Sequence, residues 1–162
     1  MGGERELFDK LNNLRGTKTL IVGIGSTLRG DDGAGPIVCE RLREAGVSAE
    51  LVDAGTVPEN YIQTIIKKAP RNIIIIDAIE FGGSPGAVGV FKDEQLDGTV
   101  LSTHALSPRL FVEVIKRSIE VDIYFVGIQP GQTKLGEPMS AQVRQALEDV
   151  TDTLIRIFPP PV

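Results

Sequence analysis

Four consecutive isoleucines at residues 73–76 constrain the fold more than any other feature of the sequence. A continuous apolar run of β-branched side chains is typical of a strand that is buried on both faces, as in parallel sheets covered by helices. We therefore expect residues 72–76 to form a strand near the centre of a sheet. The next residue is Asp77, whose charge is costly there unless its side chain enters a polar site.

Strand-like runs alternate with helix-like apolar stripes along the rest of the chain. Further strands are expected at residues 19–24, 49–52, 87–91 and 123–126, the third of them closer to an edge. Helices are expected to begin near Pro36, Pro58, Ser107 and Ser140, and the first should end at Gly46. This alternation predicts an α/β fold, a three-layer sandwich in which a twisted, mostly parallel five-stranded sheet carries helices on both faces. We expect residues 1–162 to form one domain.

The composition argues against several classes of function. A net charge of −5 and the lack of a basic run argue against nucleic-acid binding. No apolar run is long enough to span a bilayer, and the first residues lack the apolar core of a signal peptide. Cys39 is the only cysteine, so no intramolecular disulfide can form. We therefore expect a cytoplasmic protein with no membrane partner, and we favour a monomer.

A glycine-rich loop with two adjacent aspartates, residues 23–35, follows the first expected strand. A nucleotide-dependent enzyme is one interpretation, but Leu28 stands where the dinucleotide fingerprint needs its third glycine. The loop also presents carboxylates where a pyrophosphate requires a positive field. Paired carboxylates suit a cation better, and one of them can instead cap the following helix. We expect one of Asp31 and Asp32 to be structural and the other functional, and the sequence leaves open which.

Asp32, Asp77 and His104 form a candidate metal-binding set. In parallel sheets, ligands bind beyond the carboxyl ends of the strands, where the glycine-rich loop and Asp77 are both expected. His104 is the only histidine of the chain and precedes an expected helix. Two carboxylates and one imidazole suit a divalent first-row metal ion and leave positions open for substrate. Each residue also has a structural interpretation, Asp77 as a turn cap and His104 as an ordinary surface residue.

Three further features of the sequence have expected roles. Asp53, at the end of the second strand, is expected to orient its loop or to support the metal ligands, although in a nucleotide site it would bind the ribose. Cys39 lies on the apolar side of an expected helix, and we interpret it as a packing residue rather than a nucleophile. Residues 127–130 follow the last strand and are expected to form another wall of the crevice.

Four motifs in the same order resemble those of the hydrogenase maturation proteases. They are the string at residues 23–35, Asp77-Ala78 after an apolar strand, Thr103-His104 before a proline-started helix, and Gly127-Ile128-Gln129-Pro130. The resemblance covers residues 18–157 and is greatest to the formate-hydrogenlyase branch. Ser26 is a departure, because the family usually has asparagine there and the serine side chain has a shorter reach.

The resemblance implies an endopeptidase that removes a C-terminal peptide from the precursor of a [NiFe] hydrogenase large subunit. It implies that the enzyme acts after nickel insertion and recognises the nickel that the precursor brings. The metal-binding and catalytic residues of the family fall on Asp32, Asp77 and His104, and Asp31 is a candidate general base or supporting residue. Two alternatives remain open: a metal-free pair of Asp32 and Asp77 that shares a proton, and a non-catalytic nickel-binding chaperone or sensor.

Overall fold

The structure, a computed structural model, describes residues 2–95, 101–102 and 108–162. The helices are α1 (Gly2–Leu11), α2 (Ala34–Ala45), α3 (Ile62–Lys68), α4 (Pro108–Ser118) and α5 (Ala141–Ile157). The strands are β1 (Thr19–Ile24), β2 (Glu50–Gly55), β3 (Asn72–Glu80), β4 (Val88–Lys92), β5 (Leu101–Ser102) and β6 (Asp122–Ile128). Short 3₁₀ turns precede two of the helices, Gly30–Gly33 before α2 and Pro58–Tyr61 before α3.

Five strands form a sheet in the order β2, β1, β3, β6, β4, and every neighbouring pair except β4 and β6 is parallel. The prediction of an α/β fold with a mostly parallel five-stranded sheet is confirmed. The strand with the isoleucine run, β3, lies at the centre, and β4 lies at an edge, as expected. The sequence did not predict β5, in which Leu101 and Ser102 pair antiparallel with Glu80 and Ile79.

Successive side chains of β3 enter two hydrophobic cores on opposite faces of the sheet. Ile74 and Ile76 pack with α1, α2 and α5. Ile73 and Ile75 pack with α3 and α4. All four isoleucines are completely buried. Because helices cover both faces, the strand has no side that faces water, and the continuous apolar run follows from this three-layer arrangement.

The end of β3 differs from the sequence-based expectation, because the strand continues to Glu80 and Asp77 lies within it. On one side, β1 pairs with β3 only as far as Gly23 opposite Ile76. On the other side, β6 continues, and Asp77 lies opposite Gly127. The isoleucine run therefore marks the part of β3 that has a strand on each side. Asp77 is the first residue beyond the pairing with β1.

The helix boundaries agree with the sequence apart from two helix starts. α2 begins at Ala34, two residues before Pro36, because proline is tolerated in the first turn of a helix, where its missing N–H has no intrahelical partner. It ends at Gly46, which adopts the left-handed conformation with φ +71°, as expected. Pro58 begins a 3₁₀ turn, and α3 follows only at Ile62. In the part of the chain that the structure describes, no helix has the length and apolar character needed to cross a membrane.

Gly35, in the first turn of α2, lets the helix approach the carboxyl ends of β1 and β3. A Cβ at this position would lie 2.5 Å from the carbonyl oxygen of Ile24 and 2.5 Å from that of Ile76. We expect Gly35→Ala to lower the free energy of unfolding by about 3 kcal/mol, because both contacts are with the backbone of packed strands. Urea denaturation measures this cost.

The matched control for this substitution is Gly46→Ala, at the other end of the same helix. Nothing lies within 4 Å of a Cβ at Gly46, and its φ of +71° is the only source of strain. We expect a cost of about 1 kcal/mol from the left-handed conformation alone. Equal costs for the two variants would show that α2 is free to shift away from the strands.

Candidate active site at the carboxyl edge of the sheet

Three buried aspartates, Asp31, Asp32 and Asp77, lie at the carboxyl edge of the sheet. Asp31 and Asp32 belong to the turn Gly30–Gly33, which packs against β3, and Asp77 lies in β3 itself. α/β sheets bind their ligands at this edge. The fold thus brings the acidic turn to the strand that carries Asp77, as the sequence predicted.

Asp32 is held by the loop that precedes it. Its Oδ2 accepts a hydrogen bond from the backbone N–H of Ser26 at 3.0 Å. Gly25 permits this approach, since its φ is +146° and a Cβ there would lie 1.9 Å from the carbonyl oxygen of Asp32. The Ser26 hydroxyl oxygen accepts a hydrogen bond from the Leu28 N–H at 3.2 Å. The contact with Asp32 comes from the backbone of Ser26, so serine in place of the usual asparagine leaves it intact.

Asp31 is the structural member of the aspartate pair. Its Oδ2 accepts hydrogen bonds from the N–H groups of Gly131 and Gln132, both at 2.8 Å, and from the Ser140 hydroxyl at 3.0 Å. Its Oδ1 accepts one from the Ser140 N–H at 2.7 Å. These four donors occupy the carboxylate, which argues against Asp31 as a general base. Asp31 therefore fastens the segment after β6, and the start of α5, to the turn that carries Asp32.

Gln129 fixes the loop that joins β3 to β4. Its Oε1 accepts hydrogen bonds from the N–H groups of Phe81 at 2.9 Å and Gly83 at 3.1 Å. Its Nε2 donates to the carboxylate of Glu80, at the end of β3. The sequence predicted a wall of the crevice at this position. The contacts show a residue that holds the chain in place just beyond Asp77.

Asp53 has the loop-orienting role that was one of its expected functions. It is exposed, and its Oδ1 accepts a hydrogen bond from the N–H of Gly55 at 3.1 Å. Cys39 is completely buried, in agreement with its interpretation as a packing residue. Burial, and to a smaller extent the charge of Asp53, raises the pKa of the Cys39 thiol to about 12. A thiol with this pKa is protonated at neutral pH and is a poor nucleophile.

The raised pKa of Cys39 predicts a loss of stability at alkaline pH. In the unfolded chain the thiol ionises near 9.0, whereas in the folded protein it keeps its proton to about pH 12. The stability from this difference is complete below pH 9 and is lost as the pH rises from 9 toward 12. Between pH 8 and pH 10 we expect the wild type to lose about 1.4 kcal/mol more than Cys39→Ala in urea denaturation. Equal losses in the two proteins would show that the thiol ionises normally.

His104 lies outside the described residues, so its predicted place beside Asp32 and Asp77 stays a prediction. Among the residues that the structure does describe, no group of three or more His, Cys, Asp and Glu side chains is arranged to hold a metal ion. The last described residue before His104 is Ser102, which lies opposite Ile79 of β3.

Several known proteins that are similar to this chain in sequence and fold are hydrogenase maturation proteases. The family model HycI, hydrogenase maturation protease, matches residues 37–157, which include Asp77 and His104. The hydrogenase 3 maturation protease of Escherichia coli strain K12 is 30% identical over 137 residues, which cover 83% of this chain and 87% of that protein. The crystal structure of the [NiFe] hydrogenase maturation protease HycI from Thermococcus kodakarensis KOD1 has a TM-score of 0.83 and 33% identity, covering 91% of this chain and 97% of that one. The solution structure of the endopeptidase HycI from Escherichia coli has a TM-score of 0.75 and 27% identity, covering 83% and 87%.

Proposed function

The chain belongs to the hydrogenase maturation protease family and is an endopeptidase, and we propose that it removes a C-terminal peptide from the nickel-loaded precursor of a [NiFe] hydrogenase large subunit. One observation carries the proposal for this site. The carboxylates of Asp32 and Asp77 are both buried at the carboxyl edge of a sheet with the fold of these proteases. This edge is where an α/β enzyme holds its substrate.

Nickel belongs to the substrate in this proposal, because it reaches the enzyme inside the precursor. Carboxylate oxygen and imidazole nitrogen are both ligands that divalent first-row metal ions accept, and Asp32, Asp77 and His104 offer this combination. Buried carboxylates attract a cation more strongly than exposed ones, because protein screens charge less than water does. The donor set therefore fits a nickel ion that the precursor delivers to this edge.

His104 is assigned as the third ligand from the sequence. The Thr103-His104 motif resembles that of the family, and the matching family model covers both residues. The resemblance supports His104 as the ligand that completes the set with Asp32 and Asp77.

In the proposed reaction, Asp32, Asp77 and His104 grip the nickel of the precursor and so bring the adjoining peptide bond to the edge of the sheet. Nickel held by these residues would supply Lewis-acid chemistry: it would polarise the scissile carbonyl, or lower the pKa of a water molecule from about 15.7 toward roughly 7. Asp32 or Asp77, released from the nickel, takes a proton from the attacking water as general base and returns it to the departing amine. Asp31 has a different task, because its hydrogen bonds hold the turn that positions Asp32.

Three alternatives to this proposal, one of mechanism and two of function, make different predictions for the same residues. A metal-free pair of Asp32 and Asp77 predicts that His104→Ala has little effect on cleavage. A nickel-binding chaperone or sensor predicts metal binding without cleavage. A nucleotide-dependent enzyme needs free backbone N–H groups for phosphate in the glycine-rich loop, but the N–H of Ser26 donates to Asp32.

The test is peptide release from a nickel-loaded large-subunit precursor, followed by mass spectrometry, with the wild type and His104→Ala compared. We expect the wild type to release a single C-terminal peptide and His104→Ala to be slower by at least about 100-fold. Undiminished cleavage by His104→Ala would reject the metal mechanism and retain the protease. Nickel binding without any cleavage by the wild type would favour the chaperone. The cytoplasmic location, the monomeric state and the single domain stay predictions.

A further inference from the structure

Large hydrophobic side chains that face solvent are concentrated at the carboxyl edge of the sheet. Three of the exposed hydrophobic residues among those described follow parallel strands: Leu28 follows β1, Val57 follows β2 and Leu135 follows β6. The others are Leu110, on the helix α4, and Val162, the last residue. Single exposed hydrophobic residues are normal on a protein surface, but a concentration at the edge that holds the catalytic site suggests an interaction surface.

Leu28 and Leu135 are the most exposed of these residues, at 68% and 66%, and together they form what we call the leucine ridge. The N–H of Gly136 donates to the carbonyl oxygen of Leu28 at 2.8 Å, which joins the two loops directly. The N–H of Asp31 donates to the carbonyl oxygen of Gln132 at 2.7 Å, and the Asp31 carboxylate accepts from the N–H of Gln132. The two leucines are therefore exposed on backbone that is fixed by hydrogen bonds.

The leucine ridge lies beside the strand that carries Asp77. Its two loops follow β1 and β6, the strands on either side of β3. Leu28 is also tied to the catalytic turn, since its N–H donates to the Ser26 hydroxyl and the Ser26 N–H donates to Asp32. A polypeptide that is held at Asp32 and Asp77 for cleavage therefore lies next to the ridge.

We propose that the leucine ridge docks the precursor through apolar side chains next to the scissile bond. This inference rests on the proposed function, because its occupant is the substrate. The ridge is continuous with the catalytic edge, and a second copy of the chain bound there would obstruct that edge. Docking removes apolar surface from water, which stabilises the complex. A ridge that is already rigid loses little conformational freedom when the complex forms.

The test compares the double variant Leu28→Ser/Leu135→Ser with the single variant Leu110→Ser. Leu110 is 51% exposed and lies on α4, which packs on the face of the sheet opposite α2 and α5. We expect the double variant to raise KM for the precursor by about tenfold or more, from the loss of buried leucine surface, with little change in kcat at saturation. Leu110→Ser should leave KM within about twofold, because a surface change away from the docking site has little effect.

Binding of the precursor to the same variants in an Asp77→Asn background reports docking without cleavage. We expect the double variant to raise Kd for the precursor by the same factor as KM. Thermal unfolding verifies that each variant is folded. Unchanged KM and Kd would overturn the docking surface, even with full cleavage by the wild type. Failure of the wild type to cleave would overturn the proposed function, and the Kd comparison would still decide the role of the ridge.

Two further outcomes would reassign the surface. An equal rise of KM in Leu110→Ser would show that exposed leucines away from the ridge have the same effect and would overturn the specific assignment to the ridge. A wild-type dimer in sedimentation velocity that becomes a monomer in the double variant would assign the ridge to contact between copies of this chain. If the wild type and the double variant are both monomers, a raised Kd in the double variant supports docking of the precursor.

Discussion

Asp77→Asn is expected to lower kcat/KM for the precursor by about 10²–10⁴-fold while the protein stays folded. Asparagine has nearly the same shape as aspartate, so the pairing of this residue with Gly127 in the sheet is preserved. It lacks the negative charge that attracts nickel, and it does not accept a proton at neutral pH. The rate of peptide release and the melting temperature, measured on the same preparation, separate a loss of chemistry from a loss of folding.

Asp53→Asn is the matched control for this prediction. Asp53 also lies near the carboxyl end of a parallel strand, but it is exposed and its Oδ1 accepts a hydrogen bond from its own loop at Gly55. We expect kcat/KM to remain within about twofold of the wild type, as is usual for an exposed residue away from the chemistry. Similar losses in the two variants would show that negative charge in general along this edge, rather than Asp77, supports the reaction.

Asp31→Ala is expected to lower the free energy of unfolding by about 3 kcal/mol or more. The substitution removes a carboxylate that accepts four hydrogen bonds and leaves the N–H groups of Gly131, Gln132 and Ser140 without their acceptor. For a chain of this size, a change of 3 kcal/mol corresponds to a fall in melting temperature of about 6–12 °C. Urea and thermal denaturation at neutral pH measure both quantities.

Asp31→Asn separates the supporting role of Asp31 from a role as general base. The amide group of asparagine is a donor, and in either orientation it faces N–H groups that now donate to the carboxylate, so we expect Asn to be destabilising as well. A general base predicts the opposite pattern, in which the variant is as stable as the wild type but does not cleave. That pattern would show that Asp31 acts as the general base rather than as a residue that supports the turn.

The fold could be predicted because the strongest pattern in the sequence, the run of four isoleucines, forms the central strand of the sheet. A run of four isoleucines, bounded by Asn72 and Asp77, fits a strand covered on both faces, and such strands belong to parallel sheets. The end of α2 followed from Gly46, whereas the helix starts expected at Pro36 and Pro58 were wrong by two and four residues. Pairing between segments that are distant in the sequence was harder to predict. The two residues of β5 are too short to show a period, and nothing in the sequence indicated that β3 extends to Glu80.

The candidate site could be predicted only in part. The edge of the sheet, the glycine-rich loop and Asp77 followed from the rule that ligands bind beyond the strand ends. The division of tasks between Asp31 and Asp32 depends on donors about a hundred residues away, at Gly131, Gln132 and Ser140, and no local pattern contains them. The leucine ridge has the same origin, because Leu28 and Leu135 are far apart in the sequence and meet only through the fold.

The specific function depended on motifs rather than on periodicity. An acidic turn and a buried aspartate at the end of a parallel strand fit many metal-dependent or acid–base enzymes. The order of the four motifs indicated the maturation proteases, and the matches in sequence and structure confirm the family. The roles of Asp32, Asp77 and His104 as ligands of a nickel ion stay predictions.

The most direct test of the account is the dependence of cleavage on nickel in the precursor. The wild-type chain is incubated with one large-subunit precursor in three forms, namely nickel-free, nickel-loaded, and nickel-free with nickel restored. The released C-terminal peptide is quantified by mass spectrometry. We expect release from the loaded and restored forms and none from the nickel-free form. Equal release from all three forms would contradict the proposal that the site binds the nickel of its substrate.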